Sequence, residues 1–235
     1  MSDQSPFQCS IITLFPDLFA GWLEYGGVAR ARAKGLVNVD LINPRQFGIG
    51  PHLQVDDYPF GGGAGMVMRP EPLFDAVEAI PLEQRGPVVL LTPRGRTFNQ
   101  ASAHELANGG RLTLIAGQYE GVDERVAEHL ATDQLSIGDY VLSGGEPAAM
   151  VVVDAVVRLL PGAIDTESVR EESFADGLLE YPQYTRPAVF RDWAVPDVLI
   201  SGHHANVAKW RTDQARARTA DVRPDLLNRS GRTSD

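Results

Sequence analysis

The stretch Ser136 to Met150 constrains this chain most. Ser-Ile-Gly-Asp-Tyr-Val-Leu runs directly into Ser143-Gly144-Gly145 and then into a long apolar segment. Two adjacent residues without a Cβ stand where a strand is expected to give way to a helix, and glycine there admits a ligand or another backbone at close range. An isolated Gly-Gly reads first as a tight turn. Here two further loops repeat the arrangement, Thr92-Pro93-Arg94-Gly95-Arg96 and Gly117-Gln118-Tyr119-Glu120-Gly121, each directly after a β-branched or leucine-rich run. Three strand ends are therefore expected to open onto one crevice.

The surrounding pattern alternates. Strands are predicted at Phe7 to Phe15, Val37 to Ile42, Pro87 to Leu91, Arg111 to Ala116 and Gln134 to Leu142. Between and after them, helices are predicted at Asp17 to Tyr25, Pro70 to Ile80, Asn99 to Ala107, Val122 to Leu130 and Glu146 to Leu160. Elements of this size in this order imply an α/β fold, a mostly parallel sheet with helices on both faces. Ligands of such sheets bind beyond the C-terminal ends of the strands, where the three loops fall.

After Pro161-Gly162 the composition turns polar and acidic, so residues 1–162 are expected to form the α/β domain and 163–175 a linker. Residues 176–235 are expected to form a small helical domain, in which His203 to Arg218 has a helical pattern rich in alanine and arginine. Charge follows the same division. The chain of 235 residues carries a net −10, which disfavours a polyanionic partner, but His203 to Asp235 holds seven basic and four acidic residues, a local +3. Nineteen of the twenty-one basic residues are arginine, suited to forked phosphate contacts.

Several function classes are disfavoured. No Gly-x-Gly-x-x-Gly or Gly-x-x-x-x-Gly-Lys occurs, against a dinucleotide oxidoreductase or phosphate-loop NTPase. The longest apolar run, Ala148 to Val153, is far short of the roughly 20 residues of a membrane span, and the N-terminus lacks the pattern of a signal peptide. A cytoplasmic protein is expected. The single cysteine, Cys9, excludes an internal disulfide and a thiolate cluster. Adjacent His203 and His204 point in different directions on a helix and have no third ligand at a useful spacing, so no metal site is expected. Asp56-Asp57-Tyr-Pro-Phe-Gly61-Gly62-Gly63-Ala-Gly-Met66 reads as a flexible loop that approaches a substrate.

Taken together, that loop, Gly117-Gln-Tyr-Glu-Gly-Val-Asp-Glu-Arg125, Ser136 to Glu146, Tyr181-Pro-Gln-Tyr-Thr-Arg-Pro187 and Ser201-Gly-His-His-Ala-Asn-Val-Ala-Lys-Trp-Arg211 resemble the bacterial tRNA (guanine-N1)-methyltransferases, the TrmD type of the SPOUT superfamily. The resemblance runs in order from about Ile11 to Leu227. It implies S-adenosylmethionine as methyl donor, N1 of guanosine 37 of tRNA as acceptor, a homodimer with active sites shared between subunits, and a trefoil-knotted sheet.

Carried over by position, the resemblance places the donor pocket on Leu91, Thr92, Pro93, Gly95, Gly117, Tyr119 and Glu120. The pocket continues through Ser136, Ile137, Gly138, Asp139, Tyr140, Val141 and Leu142, with Gly144 and Gly145. Removing the N1 proton of guanine needs a general base, and charge building on O6 needs a cationic partner. The resemblance gives these roles to Glu172, where the family has aspartate, and to Arg158. Asp176 and Glu180 are alternative bases. The family usually has Leu-Pro after Gly-Gly-Glu, where this chain has Pro147-Ala148.

Substrate contacts are expected from Asp56, Asp57, Gly61, Gly62 and Gly63, from His203, and from Arg211, Arg216 and Arg218 on the RNA backbone. Trp210 is expected to be a core residue. Two alternatives stand beside this reading: a non-catalytic RNA-binding protein of the same fold, and a ribosomal RNA methyltransferase of the same superfamily.

Overall fold

The computed structural model describes residues 5–164, 172–174 and 177–229. The chain divides into two compact units, Met1–Ile164 and Asp165–Asp235. The alternative base Asp176 and most of the expected linker lie outside the described residues.

In the first unit, five strands form one sheet: β1 (Phe7–Ile12), β2 (Val37–Ile42), β5 (Val88–Thr97), β6 (Arg111–Ala116) and β7 (Asp133–Ser136). Their order is β2-β1-β6-β5-β7, and every neighbouring pair is parallel. A short antiparallel pair, β3 (Asp56–Asp57) with β4 (Val67–Met68), flanks the glycine-rich loop. The helices are α1 (Ala20–Glu24), α2 (Gly26–Ala33), α3 (Pro70–Glu78), α4 (Leu82–Arg85), α5 (Gln100–Asn108), α6 (Glu124–His129) and α7 (Glu146–Val157).

Both faces of the sheet are covered, which explains why its central strands read as unbroken apolar runs. Side chains alternate between two cores. Cys9, Ile11, Val89, Leu91, Leu112 and Leu114 join α2, α5 and α7 on one face. Ile12, Val88, Leu90 and Ile115 join α3 and α6 on the other. Cys9 is sealed in the first core, where burial, then the nearby Asp40 carboxylate, pushes its thiol up to about 12. Leu114 is fully buried at the centre of that core. Leu114→Ala is expected to lower unfolding free energy by about 2–5 kcal/mol in a denaturant titration.

Local chemistry sets the element ends. The Asn99 side chain accepts from the Ser102 amide at 3.0 Å and caps α5, and Asp123 likewise accepts from the Arg125 amide at 3.0 Å to start α6. Pro147 falls in the first turn of α7, where its missing N–H costs nothing.

Two strands differ from their sequence patterns. The strand expected to run through Leu142 stops at Ser136. Gly138, at φ 150°, breaks the extended course, and Val141 is 85% exposed. The strand expected to end at Leu91 continues to Thr97 through a bulge. Leu91 and Arg96 both pair with Leu135, so Thr92 to Gly95 form the bulge between the two pairings. Arg96 secures the return, with its Nη2 2.6 Å from Asp133 Oδ2 and its Nη1 donating to Ser102 Oγ at 2.9 Å. Helix α2 is not among the expected helices, the first of which ends at Tyr25 before the strand at Val37.

The chain after β7 then doubles back. Gly145 donates its N–H to Gly117 O, just past β6, at 2.8 Å. With β5 lying between β6 and β7, residues 137–145 cross the C-terminal end of β5.

The second unit contains a hairpin of β8 (Val189–Phe190) and β9 (Trp193–Ala194), then α8 (Asp197–Ile200), α9 (His204–Val222) and α10 (Pro224–Arg229). Thr219, buried on α9, accepts from the Leu179 amide at 2.9 Å and donates to Ala215 O at 2.7 Å. Trp210 is half-buried against Tyr184, with ring centroids 6.4 Å apart.

Candidate functional site

A cavity of about 520 Å³ opens at the C-terminal ends of β5, β6 and β7. Its wall comes from Leu90 to Arg94, Gly117 to Val122, Leu135 to Gly138 and Tyr140 to Gly145, with Val67, Glu124 and Ala148. Of the expected pocket residues, Leu91, Thr92, Pro93, Gly117, Tyr119, Glu120, Ser136, Ile137, Gly138, Tyr140, Val141, Leu142, Gly144 and Gly145 meet here. Gly95 and Asp139 are not brought to the lining. A Cβ at Gly95 would lie 2.5 Å from Gln134 C, so this glycine serves the close approach of β5 to β7.

The paired glycines answer to contact rather than to turn conformation. A Cβ on Gly144 would sit 1.9 Å from Gln118 Nε2, and one on Gly145 would sit 2.7 Å from Ala116 Cα. The turn after β7 is thus pressed against the end of β6. The loop after β6 is also constrained, since Tyr119 takes φ 60° and Gly121 φ 136°. Non-glycine residues hold such a conformation only where their surroundings require it.

Those surroundings are the strand leading out of the glycine-rich loop. Glu120 N–H donates to Met66 O at 3.0 Å, Met68 N–H to Gly121 O at 2.9 Å, and Asp123 N–H to Met68 O at 3.0 Å. Gly65 lies against the Glu120 side chain, which a Cβ there would meet at 2.5 Å. Burial first, then the nearby Asp56 carboxylate, raises the Tyr119 hydroxyl above its ordinary range. Asp57 instead ion-pairs with Arg69 at 3.1 Å, which also holds Glu71. Gly61, Gly62 and Gly63 all take positive φ.

Several lining residues escaped the sequence reading. Val67 reaches the cavity because β4 pairs with the loop after β6, a long-range match that no local pattern announces. Gln118 and Gly121 lie inside the Gly117 to Arg125 motif, and their position between Gly117 and Val122 was the available signal. Arg94 and Glu124 form a salt bridge at 2.8 Å between two walls. Ala148, in the Pro147-Ala148 departure, also lines the cavity.

Arg158 caps the C-terminus of α7 in the first unit, and Glu172 is half-buried in the second. Near Glu172 in sequence, Ser173 Oγ accepts from the Glu180 amide at 3.0 Å, and the Glu180 carboxylate accepts from Gln183 Nε2. His203 is the N-cap residue of α9, its amide donating to Ser201 Oγ at 3.3 Å. Along α9, Arg216 and Arg218 are exposed, whereas the Arg211 guanidinium stacks 4.7 Å from the Tyr181 ring centroid.

Comparison with known proteins agrees with these features. Residues 7–229 match the family described as tRNA (Guanine-1)-methyltransferase TrmD. A tRNA (guanine-N(1)-)-methyltransferase of Nostoc sp. is 53% identical over 221 residues, covering 93% of this chain and 87% of the relative. Proteins of the same description from Brevibacillus brevis and Gloeobacter violaceus are each 53% identical. The first alignment covers 96% of this chain and 93% of the relative, the second 92% and 96%.

Proposed function

The chain belongs to the tRNA (guanine-1)-methyltransferase TrmD family, of SPOUT type, and from that premise we propose that it methylates N1 of guanosine 37 in tRNA with S-adenosylmethionine as donor. The observation that carries the reading is the cavity at three strand ends. Its volume is in the range of small-molecule sites, and its wall combines apolar side chains such as Leu91, Ile137 and Leu142 with glycine backbone. That mixture fits a nucleoside, whose flat base takes apolar contact while its edge takes main-chain hydrogen bonds. When bound there, S-adenosylmethionine supplies an electrophilic methyl group and departs as the thioether.

The residues of the chain supply the rest. Glu172 accepts the N1 proton, freeing the lone pair that takes the methyl. Arg158 offsets the charge that develops on O6. Asp56, Asp57 and the loop through Gly61 to Gly63 hold the extruded base; Asp56 beside Tyr119, and Met66 bonded to the Glu120 amide just past that loop, couple base binding to the donor pocket. The crossing of β5 by residues 137–145 supports the threaded topology implied by the resemblance.

A homodimer completes the site. Val151 is 47% exposed on α7, and Tyr140 and Val141 are exposed in the loop that precedes this helix, so a second copy finds apolar side chains to cover. Among the described residues, no helix is long and apolar enough to cross a membrane. A cytoplasmic location suits the tRNA substrate. The helical unit binds the tRNA backbone through Arg216 and Arg218, with His203 and Arg211 as further contacts. Changing Arg216 or Arg218 to Ala is expected to weaken tRNA binding by about 3–10-fold and to lower the salt-dependence slope by about one, read by filter binding across a salt series.

The direct test is nucleoside mass spectrometry of a tRNA transcript incubated with the protein and isotopically labelled donor. Labelled 1-methylguanosine mapping to position 37 is the expected product. An unlabelled transcript, or label at another base, would overturn the assignment.

A further inference from the structure

Glu146 is 1% exposed at the start of α7, yet among the described residues its carboxylate has no basic partner. Two neutral groups donate to it. Thr13 Oγ1, itself buried at the end of β1, donates to Glu146 Oε1 at 2.7 Å, and Gln118 Nε2 donates to Glu146 Oε2. Thr13 is oriented in turn, its hydroxyl oxygen accepting from the Phe15 amide at 3.0 Å. A buried carboxylate is costly, and apolar packing is the ordinary filling for such a place. This one joins three chain segments: the end of β1, the loop after β6, and the turn after β7.

We infer that Glu146 is a positioning residue for the cavity, acting through Gln118. The Gln118 side chain lies across Gly144, so close that a Cβ there would meet its Nε2 at 1.9 Å and Glu146 Oε2 at 2.6 Å. Gln118 and Gly144 both line the cavity, while Glu146 stands behind them. Next to this contact, the Gly145 amide bonds Gly117 O at 2.8 Å. The carboxylate therefore fixes Gln118 against the paired glycines and sets the separation between two walls. Within low-dielectric surroundings such a network holds its geometry strongly when every donor is matched, and fails when one is not.

The inference rests on the donor-site reading of the cavity, and its test separates the two. Calorimetric titration of the full-length protein with S-adenosylhomocysteine, the donor after methyl loss, gives affinity, and thermal unfolding of the same samples gives stability. Gln118→Glu sets two carboxylates against each other and is expected to weaken binding by at least about 30-fold. Adding Glu146→Gln to that variant restores every bond with donor and acceptor exchanged: the amide nitrogen introduced by the second change donates to the carboxylate introduced by the first, and the amide oxygen still accepts from Thr13. The double variant is expected to bind within about threefold of the unaltered protein. Should Gln118→Glu fail to fold, Gln118→Ala takes its place, with an expected loss of about tenfold from the carboxylate oxygen left without its donor. Single variants that bind as the unaltered protein does, or a double variant as weak as the single, would overturn the positioning role while leaving the cavity's assignment intact. An unaltered protein that does not bind S-adenosylhomocysteine would overturn both.

Discussion

Replacing Glu172 by Gln is expected to slow methyl transfer by about 10²–10⁴-fold, the usual contribution of a positioned general base, with donor affinity changed by less than about twofold. The substitution keeps the shape of the side chain and removes only its capacity to take a proton. In the proposed mechanism this carboxylate works on guanine, which carries a proton on N1 in its neutral form, whereas the cavity proposed for the donor is built from loops of the first unit. Single-turnover rates with saturating donor and tRNA, paired with calorimetry for the donor, separate these effects. Full activity in the variant would move the base elsewhere, with Glu180 and Asp176 as the next carboxylates to replace. A loss of donor affinity matching the loss of rate would instead give Glu172 a binding role.

Gly145→Val is expected to raise the donor dissociation constant by at least about 100-fold and to cost about 1–3 kcal/mol of stability through overpacking. Its first added atom would meet Ala116 Cα at 2.7 Å, Gly117 N at 2.8 Å and Ala116 C at 2.9 Å. All three are backbone, so no rotamer change relieves the clash. The turn after β7 must lift from the end of β6, breaking the 2.8 Å bond from Gly145 N–H to Gly117 O. Calorimetry on the folded variant reads the first effect and thermal unfolding the second. Undiminished affinity would show that the donor does not use this cavity.

The frame of the first unit was legible because parallel strands covered on both faces leave an apolar run that local reading recognises, as in Val88 to Leu91 and Leu112 to Ala116. The boundaries that failed did so for identifiable reasons. Tyr140-Val141-Leu142 has the composition of a strand, but the chain has already left the sheet at Gly138, and those side chains line a cavity. Pro93 and Gly95 read as the end of a strand, whereas the bulge lets β5 resume at Arg96 against Leu135. Which loops share one cavity followed from the α/β pattern, because strand C-termini must lie on one edge. That Val67 joins them did not, since it depends on backbone pairing between Met66-Met68 and Glu120-Asp123, far apart in sequence. The roles given to Glu172 and Arg158 came from resemblance alone, because an acidic residue in a polar segment and an arginine at a helix end carry no distinctive local signal.

Five positions in the cavity wall, Gly117, Gly121, Gly138, Gly144 and Gly145, present only main chain. A point mutation replaces a side chain but leaves an amide where it was, and at Gly145 the neighbouring backbone leaves no space for a replacement. An inhibitor that read those amides alone would therefore leave resistance few single-step escapes, since the substitutions able to push it out would also dismantle the enzyme.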